Sequence, residues 1–376
     1  MVTIRQIRDK EELEKCYDLW GQVFQGNETR DFFANRLNKD SSYKLTTTWI
    51  AKVDNDIASS VQIFPYEMRI GKEKLLVGGI GSVATNRLYR GKGYAQEILH
   101  AQNLWMHQNK YDLSLLFSGI GTKFYEEVGY KKVKNVAYQA KKLPKIESDL
   151  LFAKDDDMEM IQKVYQEYNR EKTNSCIRSS QYWKDQIAWR GETKENFCVI
   201  KEDREIKAYL RFENKKGKTS VLEACYLPGA EMYMTKLFHQ FCASAYCLND
   251  FTIMLPNDHI LTQNREKIEE GTHMWRFFDF QNLMHKLEPV FNERMPNDKK
   301  IVFRCEEDCV VLNRNKVEVT GHNYDYDERI LVTKKEFFEL LTQGYQATEN
   351  QKLRNNSIIQ KLFPPQNGIL WQSDFF

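Results

Sequence analysis

The chain has 376 residues, of which 41% are hydrophobic and 13% aromatic, enough material for two or three cores rather than one. Its 55 basic and 53 acidic side chains leave a formal charge of +2, which argues against nucleic acid as a partner. The eight cysteines are scattered, as in a reduced cytoplasmic protein, and no apolar run approaches the roughly 18 residues of a membrane span.

The first part of the chain predicts a strand, two helices and then a pair of strands. Residues 2–8 alternate between apolar and polar, and residues 10–24 repeat apolar side chains at helical spacing. A second helix is predicted over residues 30–37. Two further strands, residues 49–53 and 57–64, flank a turn that is rich in aspartate and asparagine.

A strand-to-helix junction follows, and it carries the strongest local signal in the chain. The apolar residues 75–83 predict a strand, and a helix with one apolar face then runs to about residue 109. Between them lies Arg90-Gly91-Lys92-Gly93. Backbone N–H groups point outward at a helix N-terminus, the glycines permit close approach of a ligand, and the two cations add positive charge. The segment predicts a cradle for a pyrophosphate, and the alternative is an ordinary tight turn.

Two common phosphate loops do not fit this segment. A P-loop needs four residues between its glycines and a serine or threonine after the lysine, but Lys92 is followed by Gly93. A dinucleotide-binding fingerprint needs a third glycine where this chain has Gln96. Arg90, Gly93 and Ala95 do fit the pattern Arg-x-x-Gly-x-Gly/Ala. That pattern resembles the coenzyme A pyrophosphate loop of the GNAT superfamily of N-acetyltransferases.

The next stretch adds to this resemblance. Residues 113–117 predict a short buried strand, and Phe124-Tyr125-x-x-x-Gly129-Tyr130 is similar to the last helix and strand of a GNAT domain. The predicted order also agrees with that fold: strand, two helices, three strands, cradle helix, strand, helix, strand. Tyr125 is therefore a candidate catalytic residue, and the alternative is an aromatic side chain that only packs on a short helix.

A second unit repeats this plan after a basic, proline-containing linker that ends near residue 145. Its predicted elements are helices at residues 158–168, from 179 or 180, and at 231–246, and strands at 197–201, 206–212 and 221–226. At the last strand-to-helix junction, residues 227–230 contain no arginine and no Gly-x-Gly, and Glu231 would repel a diphosphate. The unit is therefore expected to be a GNAT-like repeat that has lost its cofactor site.

The last part of the chain predicts a smaller sheet-and-helix unit. Two short apolar runs, residues 301–304 and 309–312, predict strands. A helix follows, because Thr333 and Glu336 form a capping box at its start and Gly344 suits its C-terminal end.

The complete plan resembles the enhanced intracellular survival (Eis-like) N-acetyltransferases, whose third domain is similar to sterol carrier proteins. The apolar tail, residues 369–371 and 375–376, supports the resemblance because it should dock rather than fray; the alternative is a solvated terminus. The resemblance implies an α/β (α+β) fold with two tandem GNAT-like domains and a small sterol-carrier-like domain. The implied domains are a catalytic GNAT domain at 1–144, a degenerate GNAT-like domain at 145–284 and a sterol-carrier-like domain at 285–376.

The resemblance also implies roles for single residues. Tyr125 is expected to protonate the leaving thiolate, and the terminal carboxylate of Phe376 is expected to act as the base. The other implied residues contact acetyl-CoA: Val83, Ala84, Thr85 and Ser118 along the pantetheine arm, and Arg90, Gly91, Lys92, Gly93, Tyr94 and Ala95 at the pyrophosphate. Ordinary solution chemistry allows these roles. An alkylammonium of pKa about 10.4 must lose a proton before it attacks, and a phenol of pKa about 10 can protonate a thiolate of pKa about 8.5.

The predicted function is acetyl-CoA-dependent N-acetyl transfer, directly from the thioester to the primary amine of a small cationic acceptor. Two alternatives stay open: acetylation of a peptide or protein lysine, and a non-catalytic protein that binds CoA or a lipid. Acetyl-CoA is expected as co-substrate and no metal, because the histidines show no ligand spacing. The expected partner is the small amine, with no nucleic acid and no membrane, and the sequence is compatible with a homo-oligomer.

Overall fold

The computed structural model describes residues 1–25, 28–118, 121–146, 150–296, 299–314, 316–319 and 326–376; for Glu270 and Val319 only the backbone is described. Its strands are β1 (Val2–Gln6), β2 (Thr48–Val53), β3 (Asp56–Ile70), β4 (Glu73–Thr85), β5 (Leu113–Phe117), β6 (Lys131–Ala140), β7 (Leu151–Phe152), β8 (Phe197–Glu202), β9 (Glu205–Lys215), β10 (Lys218–Tyr226), β11 (Phe251–Ile253), β12 (Lys267–Phe277), β13 (Ile301–Cys305), β14 (Asp308–Asn313), β15 (Lys316–Val319) and β16 (Glu328–Val332). Its α-helices are α1 (Lys10–Val23), α2 (Arg30–Lys39), α3 (Tyr94–Gln108), α4 (Thr122–Glu127), α5 (Met158–Asn169), α6 (Ser180–Arg190), α7 (Glu231–Cys242), α8 (Phe280–Lys286), α9 (Glu288–Arg294), α10 (Lys334–Gln343), α11 (Gln351–Arg354) and α12 (Ser357–Leu362). Across the described ranges, no helix combines the length and apolar character needed to cross a bilayer.

The strands form three sheets, and the fold is mixed α/β as expected. An eight-stranded sheet has the order β1-β2-β3-β4-β5-β12-β6-β11, and two four-stranded sheets have the orders β10-β9-β8-β7 and β15-β14-β13-β16. The elements from β1 to β6 follow the predicted sequence of strands and helices.

Two strands from the predicted second domain join the sheet of the first. β12 lies between β5 and β6 and pairs antiparallel with both, so that His273 faces Phe117 on one side and Val133 on the other. β11 extends the same sheet by pairing with β6. The predicted boundary at 144/145 therefore does not separate the strands of the first sheet from those of the second, while the boundary at 284/285 falls between β12 and β13. Periodicity predicts that a segment is a strand, but not which strands lie beside it.

Local capping rules account for several helix ends. The predicted capping box is confirmed: Thr333 accepts a hydrogen bond from the backbone N–H of Glu336, whose carboxylate accepts one from the Thr333 N–H. The backbone of Gly344 adopts φ +93° at the other end of α10, a conformation that favours glycine. Of the two serines proposed to cap α6, it is Ser179 that accepts from the N–H of Tyr182.

Aromatic side chains fill the interior of the last unit. Phe337 lies 5.2 Å from Phe280 and 6.3 Å from Phe303 between ring centroids, and Phe363 lies 5.7 Å from Phe303. These rings pack the four-stranded sheet of β13–β16 against the helices that precede and follow it.

The C-terminal tail runs from this last unit back across the other two. The backbone N–H of Ile369 donates to Thr173 O at 2.8 Å, and the buried indole of Trp371 donates to Asn169 Oδ1 at 2.9 Å. Beyond this point the tail reaches the eight-stranded sheet, where Phe375 and Phe376 pack on its core. The predicted docking of the tail is thus confirmed, and it joins all three units.

Candidate functional site

The site begins where β4 and β5 separate. These parallel strands pair from Val77–Leu113 to Gly79–Leu115, and their register ends there. A gap opens in the sheet between the end of β4 and Phe117 at the end of β5. Backbone groups that line such a gap are available to an extended ligand, which can add to β4 as a strand would.

The ring of Phe376 occupies the start of this gap. It lies 4.6 Å from the Phe117 ring, 5.5 Å from Phe64 and 5.3 Å from Tyr66, measured between centroids. A Cβ atom added to Gly79 would stand only 2.5 Å from Phe376 Cε1. The glycine that breaks the apolar run of β4 is therefore required for the tail to approach the strand.

β4 carries a bulge just beyond the gap. Its partner register on β3 moves from Gln62–Gly81 to Ser60–Ala84, so two residues of β4 face one residue of β3. Ser82 adopts φ +51°, an unusual conformation for a residue other than glycine. Such bulges redirect the strand and its backbone groups. This one separates the gap from Val83, Ala84 and Thr85, the residues expected along the pantetheine arm.

The predicted pyrophosphate cradle is an exposed loop at the start of α3. Gly91 and Gly93 adopt φ +77° and +79°, and a Cβ atom at either would meet no heavy atom within 4 Å. Gly93 is the N-cap of the 15-residue α3, so the N–H groups of Tyr94 and Ala95 in its first turn have no acceptor within the helix. The loop therefore has both the backbone freedom and the open space that a bound anion requires.

Two cations flank these N–H groups. Arg90 is exposed, and its Nε donates to Thr85 O at 3.4 Å, which brings the loop beside the end of β4. Lys92 Nζ lies 5.2 Å above the ring of Tyr89. The structure thus brings together the two predicted groups of cofactor residues, those on β4 and those in the loop. The contact of Arg90 with β4 was not expected from the sequence, because it depends on the bend of the chain between Thr85 and Arg90.

Tyr125 lies on α4, on the opposite side of β5 from the tail. Its ring is 4.9 Å from Phe124 and 6.4 Å from Tyr130, and burial raises the pKa of its hydroxyl to about 12. The hydroxyl of Tyr125 is therefore protonated at neutral pH, which a proton donor to the leaving thiolate must be. Among the described residues, its ring contacts do not include Phe376, so the structure does not join the proposed acid and base directly.

Ser118 follows β5, and its backbone N–H donates to Thr272 O on β12 at 3.3 Å. This position is at the mouth of the gap, and a contact between Ser118 and the pantetheine end stays a prediction. Gly119 and Ile120, which connect Ser118 to α4, lie outside the described residues.

Sequence reasoning missed the anchor of the tail. Asp374 is 1% exposed, and Arg178 grips both of its carboxylate oxygens, from Nε at 2.9 Å and from Nη2 at 2.7 Å. The hydroxyl of Tyr182 also donates to Asp374 at 2.9 Å. A further carboxylate, Glu223, lies 2.8 Å from Arg178. The charge of Asp374 is therefore buried and paired, and it is not available to attract a cationic amine.

One histidine approaches the tail, but its environment suits it poorly as a base. His273 packs between Phe117 at 4.9 Å and Phe375 at 5.7 Å, measured between ring centroids. Burial lowers its pKa to about 3, so the imidazole is neutral at physiological pH and binds a proton weakly. Within the described parts of the chain, no group of three or more metal-binding side chains occurs.

A cavity of about 440 Å³ adjoins the tail between β3 and α6, and it too was missed from sequence. Phe64 and Tyr66, which contact the ring of Phe376, form one wall. The opposite side includes Tyr182 and Trp189 from α6. This cavity is the candidate acceptor pocket, because it shares its wall with the terminal residue.

Comparisons with known proteins agree with this geometry. Residues 3–133 match the family described as acetyltransferase (GNAT) domain. Among solved structures, a probable N-acyltransferase from Enterococcus faecalis is similar over the whole of both chains, with a TM-score of 0.74 and 17% identity. A GCN5-related N-acetyltransferase from Anabaena variabilis has a TM-score of 0.71 and 14% identity, and Eis1 from Mycobacterium abscessus 0.67 and 12%, again over the whole of both chains. A search of curated proteins found no match.

The solved structures and the family match support different conclusions. The low identities of the solved structures show a shared fold, while the family match shows that residues 3–133 form a GNAT acetyltransferase domain. The expectation of an N-acetyltransferase enzyme is thereby confirmed.

The contact between β4 and the tail predicts the effect of a single methyl group. Gly79→Ala should displace Phe376, because overpacking of this kind costs about 1–3 kcal/mol and the tail is the movable partner. We expect faster release of Phe376 by a carboxypeptidase and a lower rate of acetyl transfer.

Gly78→Ala is the matched control, since its Cβ would meet Met106 on the other face of the same strand. It should lower the melting temperature without exposing the tail. Equal release of Phe376 from both variants would contradict the packing described for Gly79.

Proposed function

We propose that the chain transfers an acetyl group from acetyl-CoA directly to the primary amine of a small cationic acceptor. The observation that carries this proposal is the position of Phe376, which lies in the gap between β4 and β5 beside the end of the strand that leads to the cationic loop. A release assay for free thiol, with acetyl-CoA and a panel of amines, tests it. Turnover of protein lysines alone, or of no amine, would favour one of the two alternatives.

Binding of acetyl-CoA follows from the groups already described. In this proposal the diphosphate rests on the first-turn N–H groups of α3, with Arg90 and Lys92 beside it. The pantetheine arm runs along Val83–Thr85, where its amides pair with backbone groups of the strand. Its thioester end then lies toward Ser118 and the gap.

The chemical step uses the two ends of the site. The acceptor ammonium gives a proton to the terminal carboxylate of Phe376, and its nitrogen then attacks the carbonyl carbon of the thioester. The nitrogen releases its second proton to solvent as the C–N bond is completed and the C–S bond breaks. The departing sulfur takes the proton of Tyr125, which solvent then replaces, and the Phe376 carboxyl returns its own proton to solvent. Burial raises the pKa of Tyr125 to about 12, so its hydroxyl is protonated at neutral pH and can donate to the sulfur, although the raised pKa makes it a weaker acid than a free phenol.

The rest of the plan belongs to the same proposal. The sheet of β7–β10 with α7 supports the assignment of a degenerate GNAT-like domain, and its strand-to-helix junction lacks the cationic loop. We keep the Eis-like affiliation, the sterol-carrier-like third domain and the three domain ranges as parts of this hypothesis. Seven of the eight cysteines are buried thiols, which is compatible with the cytoplasm. The absence of nucleic acid or membrane as partners, and a homo-oligomer, stay predictions.

The cationic loop predicts a selective loss of affinity. Arg90→Gln should raise KM for acetyl-CoA about tenfold, because one charged contact with the diphosphate is removed. The same variant should use S-acetyl-pantetheine, which has no diphosphate, as well as the unaltered enzyme does. Arg87→Gln, an exposed neighbour outside the loop, is the control for charge. An equal loss with both thioesters would show that Arg90 does not bind the diphosphate.

The proposed acid predicts a defect in rate rather than in binding. Tyr125→Phe should lower kcat about 100-fold, the lower range for loss of a general acid, with an unchanged Kd for CoA. The rate of the unaltered enzyme should not decline through loss of this proton until the pH approaches about 12. Tyr111→Phe removes another buried hydroxyl of the same domain and should leave kcat intact. An unchanged kcat in Tyr125→Phe would remove it from the mechanism.

A further inference from the structure

The acceptor pocket contains a buried cation that has no ion-pair partner in the part of the chain that the structure describes. Arg36, on α2, lines the cavity and is 6% exposed. Its guanidinium is held between the rings of Phe64 at 4.4 Å and Trp189 at 4.0 Å. Nη2 donates to Tyr66 Oη at 3.3 Å, while Nε and Nη1 have no hydrogen-bond partner among the described residues.

The second arginine on the cavity wall shows what is missing. Arg178 is equally buried, but it pairs with Asp374 and lies 2.8 Å from Glu223. Across the described residues, no carboxylate comes within 4.0 Å of the Arg36 guanidinium nitrogens. A buried charge without a partner is costly, typically by several kcal/mol, and the two aromatic faces offset only part of that. The chain tolerates this cost at a position that borders an open cavity.

Other acidic groups near the cavity do not neutralise Arg36. Asp40 accepts from the Ser42 N–H at 2.9 Å, and Asp185 accepts from the Ser41 N–H at 3.0 Å. Glu67 lines the rim and is exposed. Glu28 interacts electrostatically with Arg36 but is not among the lining residues of the cavity, and burial raises the pKa of its carboxyl.

We propose that the acceptor carries an acidic group, a carboxylate or a phosphate, which binds beside Arg36 while its amine reaches the thioester. This inference rests on the proposed transfer to a primary amine; it keeps the ammonium as the cationic group of the acceptor and adds an acidic group to the same molecule. Phe64 and Tyr66 line the cavity beside Arg36 and also contact the ring of Phe376, and the proposal places the acceptor along these two side chains. The substrate is then an amine with an acidic group, and a polyamine without one is a poor substrate.

A paired panel of amines tests this directly. Each ω-amino acid from 3-aminopropanoate to 6-aminohexanoate is compared with the alkylamine of equal chain length, and 2-aminoethyl phosphate separates phosphate from carboxylate. For the preferred acid, kcat/KM should exceed that of its alkylamine by about 10- to 100-fold, as expected for a hydrogen bond to a charged group.

Variants of α2 assign the preference to Arg36. Arg36→Met, which keeps a long apolar stem between the two rings, should abolish the preference by lowering kcat/KM for the acid to that of its alkylamine. Arg36→Lys should retain part of the preference and guards against a folding defect. Lys39→Gln removes an exposed cation from the same helix and should have no effect.

The possible outcomes distinguish the role of Arg36 from the proposed transfer reaction. Equal turnover of acids and alkylamines by the unaltered enzyme overturns the role of Arg36 and leaves the transfer reaction intact. If no amine is acetylated, the proposed function fails. Calorimetric titration with the same acids then tests binding at Arg36 without any need for turnover. If the acids bind to the unaltered protein but not to Arg36→Met, the acid-binding role of Arg36 is supported. If no acid binds at millimolar concentration, that role is overturned.

Discussion

A buried ion cluster holds the end of the chain in the catalytic domain. Arg178 binds Asp374 through two hydrogen bonds and lies against Glu223, and all three side chains are excluded from water. Removing one partner of such a pair typically costs about 3–5 kcal/mol, because the remaining charge is left buried. The cluster therefore fixes the register of the tail, two residues before Phe376. Stacking of Arg178 on Tyr165, at 4.0 Å, adds to this fixation.

This arrangement makes the site a product of the whole chain. The first unit contributes the cationic loop and the gap in its sheet, the second contributes Arg178 and the α6 wall of the pocket, and the third delivers the tail. β12 has a related effect, since it pairs with β5 and fixes the strand whose end borders the gap. A GNAT domain cut out at residue 144 would lack that strand, the anchor and the terminal carboxylate.

Local features of the site could be predicted from sequence. The loop at Arg90–Gly93 was found because glycine spacing, flanking charge and the start of a helix are all encoded within a few residues. The glycines of β4 carried a second signal, since glycine in a strand indicates close approach of another group, although the sequence did not say which.

The rest depends on contacts between distant parts of the chain. Arg178 and Asp374 are 196 residues apart, and neither differs in its local pattern from an exposed charged residue. The position of β12 between β5 and β6 also depends on contacts between distant residues. The same is true of the pocket around Arg36. The sequence-based domain boundaries did not anticipate that β11 and β12 join the first sheet. A change of composition marks a linker, but it does not show which strand a later segment will pair with.

The central claim is that the carboxylate of the last residue takes the proton from the acceptor. Semisynthesis of the protein with a carboxamide at Phe376 changes only that group and leaves the ring, the anchor and the gap as they are. The account predicts unchanged thermal unfolding, unchanged CoA affinity and a kcat at least about 100-fold lower at neutral pH. A carboxamide protein that acetylates amines at the normal rate would contradict it.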